Sequence, residues 1–256
     1  TIESKNETIA IIDTKKENNL IIHFSEKLPN KLEDVFTAKV DKSKRISSTR
    51  NHSATHLLHE TLREILGEHV EQKGSLVCPD YLRFDFTHFS KITDTELKLV
   101  EKEVNDKILQ NFLLEEHNNL PLTKAKKMGA MMLFGEKYED TVRAIQFNSS
   151  IELCGGTHVN STSEIGMFKI LSESSTAAGI RRIEAITADK LREYNNQMEN
   201  TLNSIKSVVK NKDLLKGIKD IITKNKKLTK KNERYKSLEV NILSENVLKK
   251  KEKING

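Results

Sequence analysis

Two short segments carry the side chains best suited to chemistry. His52-Ser-Ala-Thr-His56 places two imidazoles at i and i+4, one turn apart on a helix face, so both can reach one metal ion. Cys154-Gly-Gly-Thr-His158 places a thiol and an imidazole four residues apart. Gly155 and Gly156 between them let the backbone fold tightly around a metal and let a substrate approach. Each pair alone has an ordinary alternative, because two histidines on one helix face are commonly surface residues, and His59 shares the face of His52. Together the pairs draw on a chain of only eight His and two Cys, and they supply the nitrogen and sulfur set that zinc prefers. They lie roughly a hundred residues apart, so a shared ion would tie distant parts of the fold together.

The elements that must position these groups follow from periodicity. The β-branched runs 8–12 and 20–24 read as a hairpin, and Val35 to Val40 reads as a third strand. Residues 1–45 form a small β unit with strands expected to the left of Thr1. From Asn51 to Leu66, Ala54, Leu57, Leu58, Leu62, Ile65 and Leu66 recur at helical spacing, and Gly67 stops that helix. Gln72–Val77 and Tyr81–Phe86 read as paired strands, with Leu82, Phe84 and Phe86 on an apolar face and Arg83 and Asp85 on a polar one. Thr93 to Glu116 reads as one long amphipathic helix capped by Thr93 or Asp94. Short elements follow at Lys124–Met132 and Val142–Phe147, then strands at Ile165–Leu171 and Gly179–Thr187. The expected class is α+β, with a zinc-containing core over 46–190. Beyond residue 191, apolar residues at 3-4 spacing on both sides of Asn211-Lys-Asp213 read as a coiled-coil-like helical hairpin over 191–256.

Composition narrows the function classes. The 256 residues contain no run of eighteen apolar residues, which excludes a membrane-spanning helix. Two Cys without a pairing pattern fit a reducing cytoplasm. The chain starts at Thr1 without Met or a signal peptide and reads as a piece of something longer. Residues 191–256 carry 17 Lys and Arg against 8 Asp and Glu, a net of +9, which leaves −3 for the rest of a chain whose total is +6. A basic segment of that kind suits a polyanion, and equally suits a helix kept soluble by lysine. Cys78 reads as a small apolar core residue.

Five motifs in order, Arg50-Asn-His-Ser-Ala-Thr-His-Leu-Leu-His59, Gln72–Val77, Leu82–Phe86, Cys154-Gly-Gly-Thr-His-Val159 and Gly179-Ile-Arg-Arg-Ile-Glu-Ala185, resemble the editing region of the alanyl-tRNA synthetases. The resemblance covers essentially the whole chain. It likens 1–45 to the β-barrel that precedes that editing core, and 191–256 to the helical segment that follows it. It implies hydrolysis of tRNA(Ala) mischarged with Ser or Gly, at the ester to the terminal ribose. It implies no alanine activation, because ATP belongs to an aminoacylation domain that would lie before Thr1.

Carried over by motif, His52, His56, Cys154 and His158 are the zinc ligands. Four protein ligands close a site in the structural manner, whereas a metal that activates water needs an open position. Either one ligand yields its place, or the zinc orients the substrate while other groups hold the water. Thr55 and Gln72 are implied pocket groups, and a pocket matched to a serine hydroxyl would reject alanine. Gly155 and Gly156 could offer backbone N–H groups to a developing oxyanion, with Thr157 adding a hydroxyl. Arg181 and Arg182 could clamp an RNA phosphate or pair with Glu184 or Asp85. Free-standing or threonyl-type editing domains resemble the same core. A zinc-stabilised RNA-binding module without catalysis is the reading from a different class. The oligomeric state stays open.

Overall fold

The computed structural model describes residues 1–18, 20–132 and 138–252, with the side chains of 250–252 left aside. The chain divides into two compact units, Thr1–Glu193 and Tyr194–Gly256. The first unit opens with a three-stranded sheet of order β2-β1-β5, built from β1 (Ile2–Glu3), β2 (Thr8–Ile9) and β5 (Thr37–Ala38). A separate hairpin pairs β3 (Asp13–Glu17) with β4 (Leu20–Phe24). Among the described residues these strands do not close into a barrel. The hairpin's first strand is polar Asp13–Glu17 rather than the isoleucine run at 8–12. Glu17 pairs with Leu20, and Asn18 takes φ 46°, so the tight turn sets the register and outweighs β-propensity. The expected strand at 35–40 reduces to Thr37–Ala38, on β1.

The centre of the unit is α1 (Lys42–Leu66). Asp41 caps it by accepting from the Lys44 N–H at 3.0 Å. Its first turns are polar and exposed, so periodicity alone places its start nine residues late. Gly67 closes it at φ 114°, with its N–H donated to the Arg63 carbonyl. Along 51–62 the helix is buried nearly all round.

One side of α1 meets a four-stranded sheet of order β11-β12-β7-β6. Its strands are β6 (Gln72–Val77), β7 (Leu82–Thr87), β11 (Phe168–Ala177) and β12 (Ile180–Thr187), all antiparallel to their neighbours. Leu82, Phe84 and Phe86 are fully buried, as the alternation requires. A second sheet of order β10-β9-β8 contains β8 (Leu114–Pro121), β9 (Thr141–Phe147) and β10 (Ser150–Leu153). Two helices complete the unit: α2 (Asp94–Leu109), with a reciprocal capping box between Thr93 and Glu96, and the short α3 (Leu122–Lys127).

The long helix expected to Glu116 ends at Leu109. Asn111 takes φ 56°, the left-handed conformation common after a helix, and Leu114 onward pairs with β9. Edge pairing therefore won over continued helical spacing.

From Ala188 the chain is helical: α4 (Ala188–Val209) and α5 (Leu214–Glu252), joined at 210–213. Both expected helices are present; Leu191 is buried, but most of the apolar residues beyond it are exposed, with Leu202, Ile221 and Leu228 at 50–53 %. No helix among the described residues is long and apolar enough to cross a membrane.

Candidate metal centre

Burial of a polar helix face calls for partners, and most polar groups of α1 find one. Asn51 donates to the Cys78 carbonyl at 2.8 Å and accepts from Thr187. Ser53 Oγ accepts from the Val159 N–H and lies 3.1 Å from His158 Nδ1. Thr55 donates to the Asn51 carbonyl at 2.8 Å. Glu60 pairs with Lys107 at 2.7 Å. Glu152, from β10, sits between two imidazoles, 2.9 Å from His59 Nδ1 and 3.5 Å from His56 Nδ1.

This framework brings the two sequence pairs together. The ligand atoms of His52, His56, Cys154 and His158 all lie within 4.8 Å of one another. Cys154 Sγ is 3.4 Å from His52 Nε2 and 3.3 Å from His158 Nε2. Metal–ligand bonds of about 2.0–2.3 Å in a tetrahedron put donor atoms at about this separation. The rings of His52, His56 and His158 form a triangle with centroids 4.4–5.2 Å apart. Gly156 packs so closely on His52 that a Cβ there would overlap the ring, which gives the second glycine of the motif a steric reason. Gly155 faces open space.

The electrostatics suit a cation. Burial drives His56 well below the usual histidine range, with His158, His52 and His59 adding to the effect. Burial, then His52 and Arg143, push His158 down to about 3. Burial lowers His52 as well, against a hydrogen bond to the Thr157 backbone. All three imidazoles are therefore neutral, the form that ligates metals. Burial also raises the Cys154 thiol, and a bound cation would reverse that. Arg143 fixes the ligand loop by donating to the carbonyls of Cys154 and Gly156 at 2.8 Å each, while its Nε donates to Glu116. A set of three nitrogens and one sulfur, neutral, converging and held from behind, could hold one metal ion.

The other expected residues fall in different places. Gln72 lines a cavity of about 170 Å³ together with His59, Glu152 and Leu153. Thr55 is buried in α1 with its hydroxyl proton committed to the helix. The Gly156 N–H points to Cys154 Sγ at 3.4 Å, so it supports the thiolate rather than an oxyanion. The Thr157 hydroxyl meets Thr49 at 3.0 Å. Arg182 forms a two-pronged pair with Asp85 at 2.6 and 2.7 Å, one of the two partners its spacing suggested. Arg181 pairs with Glu173. Cys78 is half-buried and lies outside the cluster.

Sequence reasoning missed Ser53, Arg143 and Glu152. The signal for Glu152 was a charged residue inside the apolar run Ile151 to Leu153, on a strand buried throughout. Such a carboxylate needs a partner.

Comparison with known proteins identifies the setting. Residues 142–184 match the domain described as the threonyl and alanyl tRNA synthetase second additional domain, the editing-associated domain of those synthetases. The match includes Cys154 and His158. The chain is 52 % identical over 255 residues to the alanine–tRNA ligase of Flavobacterium psychrophilum, and 55 % identical over 251 residues to that of Bacteroides fragilis. These alignments take in 99 % and 98 % of the chain. This chain is homologous to a segment of the alanine–tRNA ligases. It spans 29 % of the length of either relative. Identity to that of Porphyromonas gingivalis is 46 % over 243 residues, 93 % of the chain and 28 % of the relative. Within that homology, the α1 histidines lie outside the matched domain and meet its Cys154 and His158 only through the fold.

Proposed function

We propose that this segment is a zinc-dependent deacylase that removes serine or glycine wrongly attached to tRNA(Ala). The observation that carries the reading is the convergence of His52, His56, Cys154 and His158 in an editing-type domain. Zinc suits the donor set, since thiolate with imidazole in a tetrahedral arrangement favours it over harder cations. When bound, zinc would supply a fixed positive charge against which the aminoacyl group is oriented and its ester polarised.

The protein groups do the remaining work. Ser53 holds His158 by its Nδ1, which turns Nε2 toward the centre, while Glu152 lies 3.5 Å from His56 Nδ1 and bonds the neighbouring His59. Arg143 holds the Cys154–Gly156 loop against the imidazoles. Gln72 contributes polar capacity to the cavity beside Glu152. Open space at Gly155 borders a second cavity of about 250 Å³ that reaches Cys154, an approach for the terminal adenosine. Arg181 and Arg182 act by holding β12 to its neighbours, through Glu173 and Asp85. The nucleic-acid partner is tRNA(Ala), met in part by the basic helices, and the setting is the cytoplasm.

The test is hydrolysis of Ser-tRNA(Ala) and Ala-tRNA(Ala) by the purified chain, with metal content measured alongside. Loss of serine, sparing of alanine, and dependence on zinc that Cys154→Ala abolishes are expected. A folded, zinc-loaded chain that binds tRNA and leaves both esters intact would be a binding module instead.

A further inference from the structure

Phe89, on the loop between β7 and α2, is 89 % exposed. Its ring is seated rather than loose. A Cβ on Gly179 would lie 3.1 Å from Cε1 and 3.3 Å from Cδ1, so the ring rests against the bare backbone of the β11–β12 turn. Gly179 takes φ 72°, and its carbonyl accepts from the His88 N–H at 3.0 Å, which ties the loop to that turn. The exposed residues beside the ring, Ser90, Lys91, Ala177 and Ala178, are small or polar. A face for a protein partner would offer a contiguous apolar patch. A lone seated ring suits one flat partner, which is how aromatic side chains take unpaired bases.

Beside Phe89 runs a chain of hydrogen bonds. His88 Nε2 lies 3.0 Å from Ser90 Oγ, and His88 Nδ1 lies 2.9 Å from His69 Nε2, with the two imidazoles stacked at 5.2 Å. Thr87 Oγ1 donates to the His69 carbonyl and accepts from the Glu71 N–H, so the His69 segment is fixed to β7. His69 is exposed, and its Nδ1 has no partner among the described residues. A proton added to His69 leaves the chain whole: Nε2–H donates to His88, His88 donates to Ser90, and Nδ1–H is left for an anion. The carboxylates around the pair are engaged elsewhere, Glu96 with Thr93, Glu173 with Arg181 and Glu71 with Lys73. Gln72 pairs with Phe86 at this same end of the sheet, so the surface adjoins the strand that leads to the cavity beside Glu152.

We propose that Phe89 and the His69–His88 pair form a docking point for an unpaired nucleotide of the RNA, with its base on the phenyl ring and a backbone phosphate on His69. The inference rests on tRNA as the partner and gives the globular unit an RNA contact of its own, apart from the basic helices. Stacking needs no particular base, so this contact holds the strand and the metal centre does not depend on it.

The experiment titrates uncharged tRNA(Ala) into the full chain and into variants at Phe89 and His69 of matched melting temperature. Phe89→Ala should weaken binding by about five- to 150-fold, the range of one base–aromatic stack. Phe89→Tyr, which keeps the ring, should stay within about twofold of the wild type, and Phe89→Leu, which is apolar without a π-face, should not rescue. The chain contains no Trp, so Phe89→Trp places a single indole at the site, and its fluorescence should be quenched as the tRNA binds. His69→Gln should lower the slope of log K against log salt by about 0.7, the share of one single-strand phosphate. Unchanged affinity in Phe89→Ala overturns the proposal, as does a wild type that does not bind uncharged tRNA. Full rescue by Leu would mean a merely apolar contact and overturn base stacking, and an unchanged slope in His69→Gln would overturn the phosphate contact. Uncharged tRNA has no ester to cleave, so the two readings fail separately. These binding signatures without hydrolysis of Ser-tRNA(Ala) sink the deacylase and keep the docking point, whereas hydrolysis with an unaltered KM in Phe89→Ala sinks the docking point alone.

Discussion

Residues 51–62 of α1 and residues 214–249 of α5 are both helical, yet their surroundings are opposite. Nearly every residue of the first stretch is buried, including Asn51, Ser53, Thr55, His56, His59 and Glu60. In the second, every residue but Leu214 and Gly217 is exposed, including Ile221, Leu228, Leu238 and Ile242. The first keeps polar groups inside because nearly all of them find a fixed partner. The second keeps apolar groups outside, and its helicity leans on the propensities of its Leu, Lys and Glu residues. Polar burial thus marks the place where the chain has committed its chemistry, and apolar exposure marks where it has committed none internally.

The metal is where this contrast should break most completely. Cys154→Ala removes the only sulfur of the cluster and leaves three imidazoles crowded without a thiolate. Zinc affinity should fall by more than the roughly 10–100-fold that loss of an outer-shell partner costs. Metal titration against a chromophoric chelator measures it, and an unchanged affinity would mean that the ion sits elsewhere. Next in size is packing. Leu58 is fully buried, whereas Leu228 is 52 % exposed. Leu58→Ala should cost about 2–5 kcal/mol of stability. Leu228→Ala should stay within about 0.5 kcal/mol, both read by denaturant unfolding. Equal losses would show that α5 buries Leu228 against something in solution.

A subtler cut goes through the glycine. A Cβ at residue 156 would overlap the His52 ring, so Gly156→Ala must displace a ligand or the loop. We expect zinc affinity to fall about 10–100-fold, as for other disturbances of ligand orientation. Gly155→Ala, with open space around it, should leave affinity within twofold. Similar behaviour of the two variants would remove the steric reading of the motif.

Acid should separate the metal-free protein from the loaded one. The folded state lowers His56 and His52 and takes His158 down to about 3, while an unfolded histidine titrates near 6.5. Below pH 6.5 the unfolded chain therefore binds more protons, and stability falls as pH drops toward 3. Chelated protein should lose denaturant resistance from pH 6.5 downward, whereas zinc should hold the imidazoles neutral and delay that loss. Parallel curves with and without zinc would contradict ligation by these rings.

The buried half of this comparison is the more legible in sequence. His52, His56, Cys154 and His158 announce themselves by spacing, and Leu82, Phe84 and Phe86 by alternation. Periodicity misses the polar first turns of α1, because a solvated helix start has no apolar stripe to detect. It carries α2 too far, because Asn111 ends the helix through a backbone conformation that hydrophobic spacing does not encode. Arg143 is invisible for a third reason, and the role of Glu152 for the same one: their partners are distant in sequence, and only the pairing of β9 with β10 brings them beside the ligands. The pattern around Arg182 leaves it open between RNA, Glu184 and Asp85, and in the fold it pairs with Asp85.

The exposed half is sharpened by the smallest effect. Lys224, Lys226, Lys227, Lys230 and Lys231 crowd into two turns of α5. If they meet phosphates, replacing all five by Gln should lower the slope of log K for tRNA binding against log salt by about 0.9 for each duplex phosphate they neutralise. Zinc content and unfolding midpoint should stay as they were, because none of these residues is one of the four converging side chains. A slope unchanged by all five replacements would assign the lysines to solubility. The helices would then serve through their length and their apolar stripes rather than their charge, and the contrast with α1 would be one of packing alone.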